Sequence, residues 1–321
     1  MKLALQLRQG FGDDDLRYAQ QLGVRYVAVS TTGSTVDDLR TMKERVEATG
    51  LTVSNMGNTS VHNMPSVTLG LPDRDEKIDA YLSYLRALAE LDLHYTTYAH
   101  MANGLWQSAP AAGRGSSESR TFDISTATGR WVDATFGADL PHGRTYSEAE
   151  LWDNFAYFMA RVIPVAEQLD INIGLHPDDP PGLTLGGVPR CIASSLAGYK
   201  RAFDIASSRR LGACLCIGTW LEGGERMGAT VEEAINAFAR DDRLWKVHFR
   251  NIRRDGARFT ETFLDEGDGV MSDYLRMLTS VGFDGIIIAD HVPGMVGDRR
   301  NPWSLSIGYM QGLMDALSIP R

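Results

Sequence analysis

Short apolar runs alternate along this chain with longer stretches whose apolar residues recur at helical spacing. KLALQL (2–7) predicts a strand, a helical pattern covers 13–23, and YVAVS (26–30) predicts a second strand. Val36, Leu39, Met42 and Val46 form one stripe of a helix near 35–49. LTVSNM (51–56) is a third strand. A long helix over 73–93 carries Ile78, Leu82, Leu85 and Leu88, and HYTTYA (94–99) is a fourth strand. From 101 to 146 the alternation stops; Gly, Ser, Thr and Arg are frequent there and the periodicity is weak. It resumes at Ser147-x-x-Glu150, a capping box that opens a helix to about 169. Strands over 171–177, 211–218, 244–251 and 285–291 follow. Between them lie helices over 192–206 and 271–281, and one opened by the capping box Thr230-x-x-Glu233, with Val231, Ala234, Ile235 and Phe238 on its buried face. A last helix spans about 303–317.

Eight strand–helix units imply parallel pairing with right-handed crossovers. The expected fold is α/β: a closed (β/α)8 TIM barrel forming a single domain over 1–321, with an insertion or lid over 101–146 after the fourth strand. An open doubly wound sheet would need a glycine-rich phosphate turn early on. The first turn here, RQGFGDDD, lacks that spacing, and its three aspartates repel phosphate.

Composition narrows the class. The 321 residues are 43% hydrophobic and 23% charged, ordinary globular proportions that exclude a disordered or fibrous chain. A net charge of −9 argues against a nucleic-acid partner, because counterion release needs a basic face. No run of eighteen apolar residues is present, so no membrane span is expected. The N-terminus shows no signal-peptide cleavage pattern, and three cysteines are too few for a disulfide framework. Both point to a cytoplasmic setting.

The chemistry is legible in position. His176 lies at the end of the fifth strand, Cys216 at the end of the sixth, His248 near the end of the seventh and Asp290 at the end of the eighth. In a barrel those ends converge on the face that carries active sites. Taken singly, a buried His or Cys is more often a core residue, and a strand-end Asp a helix cap. Four on consecutive strands point to a divalent-metal site of the zinc, manganese, iron or cobalt class. Cys214 shares the side of Cys216, but Cys216 is nearer the rim. Arg250 shares the side of His248 and suits bidentate capture of a carboxylate. The acidic, proline-rich loop after His176 offers Asp178 or Asp179. His291 follows Asp290 where the chain turns and is the natural general acid/base. His62 and His100 follow the third and fourth strands and reach the pocket rim at most, while His94 and His142 lie in or near loops.

These residues resemble the mannonate dehydratase family, within the wider xylose-isomerase-like barrels. The matching pieces are GLPDRDEKIDAYLSYLRALAE (70–90), HPDDPPG (176–182), CIG (216–218), HFRN (248–251), FTE with GDGVM (259–261 and 267–271), and ADH (289–291). The resemblance implies one divalent metal, Mn2+ in the first place with Fe2+, Co2+ or Zn2+ as alternatives, on His176, Cys216, His248 and Asp290. It implies loss of water from D-mannonate to give 2-keto-3-deoxy-D-gluconate, in hexuronate catabolism. It places Arg250 on the substrate carboxylate and His291 in proton transfer. The chain departs from the family at Leu264, where a histidine is usual, and at Val292 in place of the glycine of D-H-G. The family tyrosine beyond that motif has Trp303 or Tyr309 as its nearest counterpart, so Tyr309 joins His291, Arg250 and Asp178 as a catalytic candidate.

The expected protein is therefore a lyase acting on a small sugar acid, with a homo-oligomer as its expected assembly. An isomerase, epimerase or β-eliminating lyase using the same metal would give a different product. A non-catalytic sugar-binding barrel would have no need of four metal ligands.

Overall fold

Runs of branched apolar residues, buried on both faces, set the frame. The computed structural model describes residues 1–320 apart from 34, 132 and 138. Its first four strands are β1 (Lys2–Leu7), β2 (Tyr26–Thr31), β3 (Thr52–Asn58) and β4 (Tyr95–Tyr98). Four further strands lie within 101–146: β5 (Leu105–Ala112), β6 (Glu118–Phe122), β7 (Thr128–Trp131) and β8 (Ala134–Phe136). Then come β9 (Asn172–Leu175), the short pair β10 (Thr184–Leu185) and β11 (Val188–Pro189), and β12 (Leu211–Cys216). β13 (Leu244–Phe249), β14 (Asn251–Asp255), β15 (Arg258–Thr262) and β16 (Ile286–Ala289) complete the set.

Eight of these make one parallel sheet in the order β3-β2-β1-β16-β13-β12-β9-β4, curled into a nearly closed barrel. Its two ends, β3 and β4, stand side by side at the seam. There Ala99 N–H donates to His62 O at 2.8 Å, and His62 Nδ1 lies 3.0 Å from Thr97 O. β12 and β16 are buried at every residue, as parallel strands covered by helices must be. The helices bury the stripes that the spacing predicts. Ser147 Oγ accepts from Glu150 N–H, and Glu148–Gln168 then buries Leu151, Phe155, Phe158 and Met159. Thr230 caps Val231–Arg240 in the same way, with Val231, Ala234, Ile235 and Phe238 buried. Among the described residues no helix is long and apolar enough to cross a membrane.

The segment 101–146 is more regular than its sequence suggests. β5–β8 join the hairpin β14–β15, which leaves the barrel directly after β13, in a six-stranded sheet ordered β14-β15-β6-β5-β7-β8. Phe259 pairs with Phe122 and Thr260 with Thr121. Trp106, Phe122, Ala127, Leu185, Ile252 and Phe259 form a small second core beneath it. Both contributing segments start at C-terminal strand ends, so this sheet belongs to the active face of the barrel.

Candidate metal centre and active site

Parallel register brings the strand ends level. Cys216 lies opposite His248, and His248 opposite Ile288, two residues before Asp290. The candidate ligand atoms of His176, Cys216 and His248 lie within 4.8 Å of one another. His176 Nε2 is 3.2 Å from His248 Nδ1, and Asp290 Oδ2 is 3.3 Å from the same Nδ1. His176 Nδ1 lies 2.8 Å from Pro177 O. Donation to that carbonyl fixes the tautomer that leaves Nε2 with a free lone pair, the usual outer support of a metal-binding imidazole. Cys214 sits one turn of the pleat deeper on the same strand, outside this trio.

The charges agree with the geometry. Burial works against the Cys216 thiolate, but Arg250 and the two imidazoles outweigh it and hold the thiol well below its ordinary value. Burial likewise opposes the Asp290 carboxylate, which His291, His248 and Arg250 hold well below the usual range. Two imidazoles, a thiolate and a carboxylate form a donor set suited to a divalent transition ion. If they form it, removing one imidazole should be severe, since even outer partners are worth about 10–100-fold in affinity. Elemental analysis after dialysis should show His176→Ala and His248→Ala each retaining less than about a tenth of the wild-type metal. Full metal content in both would contradict the site.

His291 shows how adjacent side chains share one site. Its φ is 44°, in the left-handed region that a non-glycine residue enters only at a cost on the order of 1 kcal/mol. That turn points His291 and Asp290 the same way. Nδ1 of His291 lies 2.8 Å from Glu261 Oε1, and Nε2 is 3.8 Å from Asp290 Oδ2. Burial lowers the imidazole's pKa, but Asp290 and Glu261 raise it to about 9.

Arg250 is placed differently from the expectation of a free guanidinium facing substrate. It is 1% exposed, and its donors are committed within the protein. Nε donates to Cys216 Sγ at 3.2 Å; Nη1 donates to Glu222 at 2.6 Å and Glu261 at 3.0 Å; Nη2 donates to Asp179 at 2.8 Å and Thr219 at 2.7 Å. Gly218 makes room for it: a Cβ there would stand 2.4 Å from Arg250 Cγ. Arg120, from β6, joins the same cluster at 2.7 Å from Asp179 and 2.8 Å from Glu261. The roof sheet is thus held to the barrel by a buried ionic cluster.

The two aspartates of the proline-rich loop part company. Asp179 enters the cluster, whereas Asp178 accepts from Ser194 Oγ at 2.7 Å. Burial raises the Asp178 pKa against the pull of Arg190. Tyr309 is half-buried on the helix Asn301–Ala316 and packs against the barrel core. It does not line the cavity beside His291, while Trp303 does. Six residues separate the two, about 240° around a helix, so they face different ways. His62 meets the insertion, its ring stacked 5.5 Å from that of Trp131. Arg120, Asp179, Glu222 and Glu261 act through contacts between segments distant in sequence, which local pattern does not reveal; Asp179, in the proline-rich loop, and Glu261, in the FTE segment, carried a signal, and Arg120 and Glu222 did not.

Fold and site together define a (β/α)8 barrel enzyme with a candidate metal centre at its C-terminal strand ends. The family model D-mannonate dehydratase (UxuA) matches residues 30–320, and the chain belongs to that family. It is 29% identical over 305 residues to a mannonate dehydratase of Streptococcus agalactiae serotype III, covering 87% of this chain and 86% of that one. A mannonate dehydratase of Thermotoga neapolitana is 27% identical over 317 residues, covering 88% and 86%. Among solved structures, mannonate dehydratase from Streptococcus suis serotype 2 superposes with a TM-score of 0.84 at 20% identity, covering 99% and 96%. A 3-keto-D-glucoside 4-epimerase from E. coli gives 0.67 at 13%, covering 97% and 99%.

Proposed function

We propose that the protein removes water from D-mannonate to give 2-keto-3-deoxy-D-gluconate, a step of hexuronate breakdown, using one divalent ion with manganese as the first candidate. The observation that carries the reading is the trio His176, Cys216 and His248, with Asp290 and His291 turned to the same side. These ligands would hold the ion, which when bound supplies Lewis-acid stabilisation of negative charge. The remaining work falls to the chain. The proton α to a carboxylate is weakly acidic, and its loss places negative charge on the carboxylate oxygens. Departure of the 3-hydroxyl needs a proton, and the enol that results tautomerises to the 2-keto acid. Proton exchange is assigned to His291, which lines the cavity and has its Nδ1 held by Glu261. The sheet over the active face is proposed to act as a lid, with Arg120 as its latch.

A panel of hexonates and keto-sugars, read by mass spectrometry and NMR, tests this. The expected outcome is loss of one water from D-mannonate and no change in the keto-sugars. Epimerisation or isomerisation at constant mass would replace dehydration with the second reaction class.

A further inference from the structure

Beyond the ion, a substrate carboxylate near His291 gains from a side-chain cation that fixes its orientation, and Arg250 is not free to be one. The cavity that His291 lines, of about 410 Å³, lies between the ends of β1 and β16. Among the described residues, Arg8, Arg299 and Arg300 line it against one carboxylate, Asp15. Arg299 and Arg300 both pair with that carboxylate, at 2.8 and 2.9 Å. Arg8 follows β1 directly, on the barrel's active face. It is exposed and has no ion-pair or side-chain hydrogen-bond partner among the described residues. Trp303 also lines it and adds an apolar surface suited to a carbon chain.

We infer that Arg8 holds the carboxylate of the substrate in this cavity and so selects sugar acids over uncharged sugars. The inference rests on the dehydratase reading for the identity of the acid, and on the cavity for the place. A guanidinium offers a carboxylate two parallel N–H donors, and a charged hydrogen bond of this kind is worth about 1.5–3 kcal/mol. Loss of the side chain should therefore weaken binding by about tenfold or more. Among the described residues Arg8 spends none of its donors, so its removal strips none of them of a partner.

Calorimetric titration of the manganese-loaded protein with D-gluconate, a hexonate probe checked by NMR for turnover, tests the assignment. Arg8→Ala should lose about tenfold or more in affinity, Arg8→Lys should recover part of it, and Arg240→Ala, at the exposed end of its helix and away from the cavity, should stay near wild type. Wild-type affinity in Arg8→Ala, or no uptake of D-gluconate by the wild type, overturns the inference. Kinetics on D-mannonate keep the two readings apart. Arg8-dependent binding without turnover would sink the dehydratase reading alone. Turnover with an unchanged KM in Arg8→Ala would sink the Arg8 assignment alone.

Discussion

His291→Asn is expected to keep its metal and lose activity, with kcat falling by about 10²–10⁴, the range for a lost general acid/base. The substitution suits the site. Asparagine is among the side chains that best tolerate φ near 44°, so the turn after β16 survives. Its amide can still donate to Glu261 where the imidazole did, at 2.8 Å. What it cannot do is cycle a proton near neutral pH. The neighbouring Asp290→Asn is the counterpart, since it removes an anionic ligand and should lower metal affinity along with rate. Metal content and steady-state kinetics separate the two. Near-normal kcat in His291→Asn would move the proton-transfer role to another residue.

Arg250→Met should destabilise the fold by about 3–5 kcal/mol, the usual cost of stripping one partner from a buried ion pair. Asp179, Glu222 and Glu261 would be left with Arg120 and His291 as their cations. The total stability of a domain is only about 5–15 kcal/mol, so a denaturant titration should show an early midpoint. The same variant loses the N–H donated to Cys216 Sγ, so metal affinity should fall with stability. Arg250→Lys restores the charge without the fork and should recover stability only in part. Wild-type stability with a raised KM alone would show that Arg250 serves substrate instead.

The eight-strand frame was legible because local pattern decides it. The capping boxes at Ser147 and Thr230 and the stripe at Val231, Ala234, Ile235 and Phe238 each report on their own helix. Strand-end position also reports on the site, since parallel register leaves the ends of β12, β13 and β16 within a residue of one another and His176 directly follows β9. Three kinds of information were not local. β6 pairs with β15 across more than a hundred residues, and neither strand alternates cleanly enough to announce itself. The helix Ile217–Gly223 is short and holds two glycines, so its spacing carries no period. Arg250 shares a strand face with His248, yet its direction is set by three carboxylates from three separate segments: a loop, a short helix and β15. Helical phase turns Tyr309 away from the cavity beside His291 and places Trp303 in its lining. Arg8 had a signal, its position just past β1, equal in kind to the one that marked His176.

A metal held by His176, Cys216, His248 and Asp290 is proposed to enable elimination of water from D-mannonate. The most direct measurement follows the keto acid formed by chelator-stripped protein before and after manganese is restored. The account predicts no product from the stripped protein and, on reloading to about one ion per chain, stoichiometric 2-keto-3-deoxy-D-gluconate. Equal rates with and without metal, or no keto acid from the reloaded protein, would contradict it.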